Sequence, residues 1–403
     1  MKKYLHLKSD RSLAILSLVV LIWITSSGLL WFLLPQLSDY FVNDVLIVGI
    51  LMSLPGLVAI LIDIPLGDLC DKLGRKKIII VGLLVMMVLG VFLGKVNSLQ
   101  EIVLFLLLLG ISYQLIYVPS IAYVMDISPR GKSSEYFGVY MACIFLGYGI
   151  GPFISGYFMT DNILVDATRV GYIFSIGCFM ALLIAIFFLR ETITRTESTI
   201  VGIKELIKRD KLFIKELRDY GHLRPIAIVM LYLTLLFTFF DGAVWTLEPL
   251  YYKNINISPL FGGIILGIFS LSLVIFDVPS GILAERYRKD TVLITGLSIT
   301  GISLMIFGLS SNILVLISMA FLSGLGLALA WPSTEGILFD ISGQCGKGEI
   351  SGIWNFSKDL GYFIGPLLGG VISSFYKNIG LTFTLIGLVF IISIILVLPF
   401  RKN

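Results

Sequence analysis

Gly67-Asp68-Leu69-Cys70-Asp71-Lys72-Leu73-Gly74-Arg75-Lys76-Lys77 is the stretch whose reading decides how this 403-residue chain folds. It lies between two apolar runs, 46–66 and 78–94, and neither run holds a Lys or Arg. As helices, both approach the thickness of a bilayer's hydrocarbon core, about 30 Å. The connector is too short to be a domain and too charged to sit in hydrocarbon. It must therefore turn at a membrane surface. Lys72, Arg75, Lys76 and Lys77 put that surface on the cytoplasmic side.

The rest of the composition agrees with a membrane protein. Hydrophobic residues make up 57% of the chain and charged residues only 14%, and the mean hydropathy is +0.97. A soluble protein of this length cannot hide that much apolar surface. The apolar runs divide into twelve spans, at 12–34, 46–66, 78–94, 100–125, 135–158, 169–189, 224–250, 260–284, 291–309, 313–339, 350–374 and 380–399. With these spans, 25 of the 30 Lys and Arg fall on one side of the membrane. Only Lys95, Arg169, Lys253 and Lys377 fall on the other, and Lys358 lies inside a span. That asymmetry predicts a multi-pass protein of the cell membrane with both termini cytoplasmic. Residues 1–34 start basic and turn apolar, but no small-x-small cleavage site follows, so they read as the first span and not as a secretory signal. The four cysteines, Cys70, Cys143, Cys178 and Cys345, form no CxxC pair, and a disulfide framework or metal site is not expected.

The pattern of Gly67, Leu69, Asp71, Gly74, Arg75, Lys76 and Lys77 resembles the loop motif between transmembrane helices two and three of the major facilitator superfamily. An internal repeat extends the resemblance over nearly the whole chain. Adding 214 to a position in the first half often returns the same residue type without a gap. Trp31 meets Trp245, and Pro35 meets Pro249. Asp63-x-Pro65-x-Gly67 meets Asp277-x-Pro279-x-Gly281, and Asp126-Ile127-Ser128 meets Asp340-Ile341-Ser342. Gly147-Tyr148-x-x-Gly151-Pro152 meets Gly361-Tyr362-x-x-Gly365-Pro366. Two six-helix units have been duplicated in parallel. The expected fold is therefore all-α, with twelve transmembrane helices in two parallel six-helix repeats. Bundles at 1–189 and 223–403 are joined by a cytoplasmic linker at 190–222. Ile203, Leu206, Ile207, Ile214 and Leu217 recur there at helical spacing among basic and acidic residues, which predicts an amphipathic helix on the inner leaflet.

The resemblance implies a gating motif of Gly67, Asp68, Asp71, Gly74, Arg75 and Lys76. Gly67 would let helix ends approach, Asp71 would meet the start of helix eleven near Gly352, and Gly74 would make the turn. Gly147, Gly151 and Pro152 are similar to the glycine-proline motif of the superfamily's antiporters. The second copy, on helix eleven, weakens that inference, since close helix packing also wants spaced glycines. The Arg that many drug/proton antiporters of this superfamily carry in helix four, four residues before a Gly, is absent. Leu106 precedes Gly110 here.

Polar groups at membrane depth are costly and mark candidate sites. In this fold helices one, four, seven and ten line the centre. The candidates for substrate contact are Trp23, Ser27 and Trp31 on helix one, and Tyr113, Gln114 and Tyr117 on helix four. Helix seven adds Thr238, Asp241 and Trp245, and helix ten adds Trp331 and Glu335. This is an aromatic, acidic lining without a basic residue, which suits hydrophobic or cationic ligands. Glu248, near a helix end, reads as reaching water. Candidates for proton coupling are Asp241, Glu335, Asp277, Asp63, Lys358 and Asp359. Asp241 faces its partners where its repeat mate is the neutral Ser27. A carboxylate removed from water can hold a proton and give it up to an arriving cation. Lys358 is expected to pair with Asp63, since a lone ammonium at that depth is costly, and Asp277, whose partner position holds Ile144, stays free to titrate. Adjacent Lys358 and Asp359 should point about 100° apart.

Soluble-enzyme readings fail. Gly131-Lys132-Ser133 looks like the tail of a nucleotide loop, but Asp126 stands where its first Gly belongs and no strand precedes it. The sequence thus predicts a secondary transporter, not an enzyme. It would work as a monomer by alternating access, moving a small-molecule substrate and protons across the lipid bilayer with no cofactor, metal or nucleic acid. Export of hydrophobic or cationic molecules against protons fits the lining. Uptake of a sugar or other small metabolite is the alternative, and a membrane receptor or enzyme the remote one.

Overall fold

A computed structural model describes residues 2–129, 132–160, 162–192, 225–341 and 347–399. The described residues form twelve long helices: α1 (Lys2–Val42), α2 (Val45–Leu73), α3 (Arg75–Leu93), α4 (Leu99–Ile127), α5 (Ser133–Phe158), α6 (Ile163–Phe188), α7 (Pro225–Asn254), α8 (Pro259–Arg286), α9 (Lys289–Leu309), α10 (Ile313–Ile341), α11 (Lys347–Tyr376) and α12 (Ile379–Val397). Each expected span coincides with one helix, overrunning its ends by two residues at most, and most of the helices run further than the hydrocarbon requires. Eleven of the twelve are long and apolar enough to cross a membrane. The exception is α11, whose Ser351, Asn355, Lys358 and Asp359 lower its hydropathy. The segment expected to form the amphipathic linker lies outside the described residues from 193 to 224, as does Cys345. Cys70, Cys143 and Cys178 are free thiols.

Helix α3 illustrates the environment. Ile79, Leu83, Met86 and Leu93 are buried along one stripe, while Val81, Leu84, Val88 and Val91 are exposed along another. A helix packed in a water-soluble protein carries polar residues on its outer face, whereas this one is apolar on both. The outer stripe suits lipid.

The same packing recurs in both halves. Helix α1 packs on α5, α2 on α4, and α3 on both α4 and α6. Likewise α7 packs on α11, α8 on α10, and α9 on both α10 and α12. The halves meet where α2 packs on α11, α5 on α8 and α1 on α7. Glycines set these contacts. A side chain at Gly49 would stand 2.5 Å from the carbonyl oxygen of Pro366, and one at Gly56 2.8 Å from the backbone nitrogen of Phe363. Gly156 and Gly263 press in the same way against the backbones of Pro259 and Pro152. At the end of the molecule that carries the 67–77 loop the picture reverses. Gly67, Gly138 and Gly281 have nothing within 4 Å of the space a side chain would take. The close glycine contacts between the halves thus lie toward the far end, and these three loop-end glycines make none. Gly263→Leu should destabilise this far-end contact by about 1–3 kcal/mol, the usual cost of overpacking, read as a lower melting temperature in detergent. An unchanged melting point would show that α8 can move off α5 freely.

Candidate functional site

The organising loop is built as an ionic knot. Gly74 takes φ +94° between α2 and α3, a backbone conformation that a side chain disfavours. Arg75, buried despite its charge, holds Asp71 at 2.6 Å and Asp126 of α4 at 3.3 Å. The backbone N–H of Arg75, at the start of α3, donates to Glu191 at 2.8 Å. Thr192 donates to Asp126 at 2.7 Å, and Lys76 to the carbonyl oxygen of Ile186 at 2.7 Å. Asp71 thus engages Arg75, and Gly67 makes no close helix contact. Among the described residues neither has a partner across the interface. The side chains of Asp68 and of the start of α11, Gly352 included, lie outside the described residues. Glu191 was not legible as a partner, because it reaches the loop only through the tertiary fold. The repeat preserves the knot in reduced form. Lys289, the mate of Arg75, holds Asp340, the mate of Asp126, at 2.6 Å.

The expected antiporter glycines pack helices within each half. A side chain at Gly151 would stand 2.6 Å from the carbonyl oxygen of Thr25, and one at Gly147 2.8 Å from the backbone nitrogen of Thr25. Gly361 and Gly365 press on α7 in the same way, against Leu235 and Phe239. Pro152 lies beside both Gly28 of α1 and Gly263 of α8. Leu106, where the antiporter Arg would stand, is fully buried.

At mid-depth, aromatic residues from both halves converge on one carboxylate. Trp245 donates its indole N–H to Asp241 Oδ1 at 3.1 Å, and the Tyr362 hydroxyl donates to Asp241 Oδ2 at 3.0 Å. The Tyr148 ring lies 5.0 Å from the Trp245 ring, and its hydroxyl meets that of Tyr113 at 2.8 Å. Tyr113 in turn lies 4.9 Å from Trp23 and stacks at 5.8 Å on Tyr117. Tyr148 and Tyr362 are repeat mates, so each half contributes one tyrosine. Asp241, Tyr113, Tyr117, Tyr148 and Tyr362 all keep part of their surface open. They lie deep within their helices, where Tyr148 of the first half meets Trp245 of the second. Among the described residues no Lys or Arg pairs with Asp241. Tyr148 and Tyr362 were not among the sequence candidates, because they belong to helices five and eleven, outside the four expected to line the centre.

Other candidates sit differently. The Ser27 and Thr238 hydroxyls are tied to carbonyl oxygens of their own helices, Trp23 at 3.0 Å and Thr234 at 3.0 Å, and both residues are buried. They are part of the packing. Gln114 is buried with its Oε1 unpartnered, and Trp31 is half-buried. Trp331 donates to Glu335 at 2.7 Å. Glu335 has Asp277 and Lys358 among its charged neighbours.

The Lys358 cluster departs from expectation. The ammonium lies 4.0 Å from Asp359 and 3.5 Å from the Asn355 Oδ1, over the rings of Tyr117 at 5.2 Å and Trp354 at 5.4 Å. Asp63 of α2 has Asp359 and Lys358 as its charged neighbours, and its Oδ1 has no hydrogen-bond partner among the described residues. The flexible four-carbon stem of Lys358 folds back toward the next residue, which helical geometry alone does not foresee. Glu248 also differs. It is buried and accepts from the Tyr252 hydroxyl, so it does not reach water.

The far end is closed by one ion pair between the halves, Lys253 to Asp39 at 2.6 Å. The two residues are repeat mates, so opposite charges occupy equivalent positions of α1 and α7. An exposed ion pair contributes up to about 1 kcal/mol. Lys253→Gln should therefore raise far-side thiol labelling of a cysteine placed at Phe32 by up to about fivefold, in a chain whose native cysteines are replaced by Ser. Unchanged labelling would mean that helix packing alone keeps this end shut.

A twelve-helix bundle with an apolar outer surface and a shared central site is the architecture of a multi-pass membrane transporter. The model of the Major Facilitator Superfamily matches residues 16–245 and 230–403, and the chain belongs to that family. It is 25% identical over 346 residues to multidrug resistance protein 2 of Bacillus subtilis, covering 84% of this chain and 82% of that one. It is 24% identical to a multi-drug resistance efflux pump PmrA homolog of Lactococcus lactis, covering 81% of this chain and 78% of that protein. Among solved structures, a POT family transporter in complex with 5-aminolevulinic acid superposes with a TM-score of 0.76 at 14% identity, over 97% of this chain and 96% of that one. The family is one of transporters and not of enzymes.

Proposed function

We propose that the chain is a proton-coupled exporter of hydrophobic or cationic small molecules that works by alternating access. The observation that carries this reading is Asp241, a carboxylate without a basic partner, held by Trp245 and Tyr362 in an aromatic site shared by both halves. Aromatic faces and an uncompensated negative charge attract an organic cation. The same carboxylate can take a proton instead, so proton and substrate compete for one group. The names of the bacterial relatives, a multidrug resistance protein and an efflux pump, support export. The basic loop ends place the 67–77 face in the cytoplasm, so a far end closed by Lys253 and Asp39 suits a state open to the inside. The loop knot around Arg75 and Asp71 serves as the gating element, and Asp277 and Glu335 as the approach for a cation from that side. The exporter acts as a monomer in the bilayer, and its linker at 190–222 tethers the bundles at 1–189 and 223–403.

The test uses the full chain in liposomes with an imposed pH gradient and ethidium, a permanent aromatic cation. Ethidium should accumulate on the acidic side and escape when a protonophore collapses the gradient. Gradient-driven movement of a neutral sugar with no movement of ethidium would instead establish the uptake-carrier reading.

A further inference from the structure

Export against protons needs a route by which the proton reaches the substrate site from the far side. Asp241 lies deep, and the far end is shut. One further buried acid, unused by the exchange at Asp241, stands between them. Glu248 follows Asp241 by seven residues on the same face of α7, about 10 Å along the axis. It is 3% exposed and hydrogen-bonded to Tyr252, one turn further out. Tyr252 is itself buried, with its ring 6.5 Å from Phe307 of α9 and packed beside Gly262 of α8. Next to it, Lys253 bonds Asp39 of α1 and closes the far end.

The surroundings of Glu248 are otherwise without compensating charge. The described titratable groups that act on it are Tyr252 and Asp241, both on its own helix. From the facing helices, Phe307 and Gly262 pack on its partner Tyr252, and Asp39 beyond Tyr252 is already engaged by Lys253. A buried carboxylate with no cation is expensive to keep, and a leucine would fill the position more cheaply. The repeat makes this concrete. The mate of Glu248 in the first half is Leu34, just as the mate of Asp241 is Ser27. The second half alone has placed two carboxylates on this face, one at the site and one between it and the far-side gate.

We infer that Glu248 is the proton relay between the far-side solution and Asp241. When the Lys253–Asp39 contact opens, the Glu248 carboxylate takes a proton from water. It passes that proton through water in the opened space to the Asp241 carboxylate as the cation leaves. No bond other than O–H is made or broken, and Glu248 ends as the carboxylate it began. This inference rests on the exchange at Asp241 proposed above.

Glu248→Gln tests it, since the amide oxygen can still accept from Tyr252 while the group can no longer carry a proton. Two rates are compared in liposomes holding the full chain: ethidium accumulation driven by a pH gradient, and ethidium–ethidium exchange without one. The variant should exchange within about twofold of wild type yet lose gradient-driven accumulation by about a hundredfold, the scale of a lost proton-transfer group. Glu248→Asp should recover part of that loss, with a shifted pH profile. The relay is overturned if Glu248→Gln retains driven accumulation. It is also overturned if exchange falls in step with accumulation, or if the melting temperature falls and Asp rescues nothing, because Glu248 is then structural. Should the wild type exchange ethidium without any response to the gradient, proton coupling itself fails, and the relay with it.

Discussion

Asp241→Asn should abolish gradient-driven transport of a cationic dye and leave transport of a neutral aromatic substrate intact. The amide keeps the shape that Trp245 and Tyr362 hold, so the fold should survive. What is lost is the negative charge and the exchangeable proton. A charge-assisted contact contributes about 1.5–3 kcal/mol, so ethidium affinity should fall about ten- to a hundredfold. The pH dependence of dye binding should flatten, because proton and cation no longer compete. Equilibrium dye binding at several pH values, with dye flux in liposomes, checks both. If the Asn variant still concentrates dye toward the acidic side, Asp241 is a structural polar residue, and coupling must reside at Asp277 or Asp359.

Lys358→Met should be among the most destabilising replacements in the chain. Lys358 is 7% exposed and lies beside Asp359, which has Asp63 as a charged neighbour across the α2–α11 contact. Removing the cation leaves two carboxyl groups facing each other in a place shielded from water. Breaking a buried ionic cluster on one side costs about 3–5 kcal/mol, whereas removing both partners costs far less. The double variant Lys358→Met/Asp359→Asn should therefore recover most of the melting temperature that Lys358→Met loses. Equal losses in the single and double variants would mean that Lys358 stabilises through its rings, Tyr117 and Trp354, and not through charge. Transport by the double variant then reports whether this cluster does more than hold the halves together.

The two replacements also separate what was legible from what was not. Asp241 stood out in the sequence because a carboxylate in a long apolar run has few structural reasons to be there. Its hydrogen-bond partners did not. Trp245, four residues on, follows from helical spacing, but Tyr362 arrives from a helix 121 residues away. Lys358 was equally visible as an isolated cation; its expected partner Asp63 is a charged neighbour, but the carboxylate within ion-pair distance is Asp359. A fixed-angle helix argument assigns directions to Cα–Cβ bonds, and a lysine ammonium sits four carbons beyond that bond. Glu248 was misread for a related reason. Closeness to a helix end counts residues along one helix, whereas burial depends on the neighbouring helices that pack around Glu248 and its partner Tyr252.

The chain's own sequence determined the class, the helices and the duplication. Bilayer thickness and the cost of charge in hydrocarbon act on local composition, and the 214-residue register is a property of the chain alone. The turn at Gly74 and its basic residues were readable too, because a turn between two spans is local, but the partners of Arg75 at Asp126 and Glu191 were not. Only the tertiary structure decided which tyrosines meet Asp241, that Asp63 neighbours Asp359, and that Lys253 pairs with Asp39 across the far end. Those contacts join residues distant in sequence across the interface between halves, where small differences in helix approach, set by glycines against backbone, select the partner.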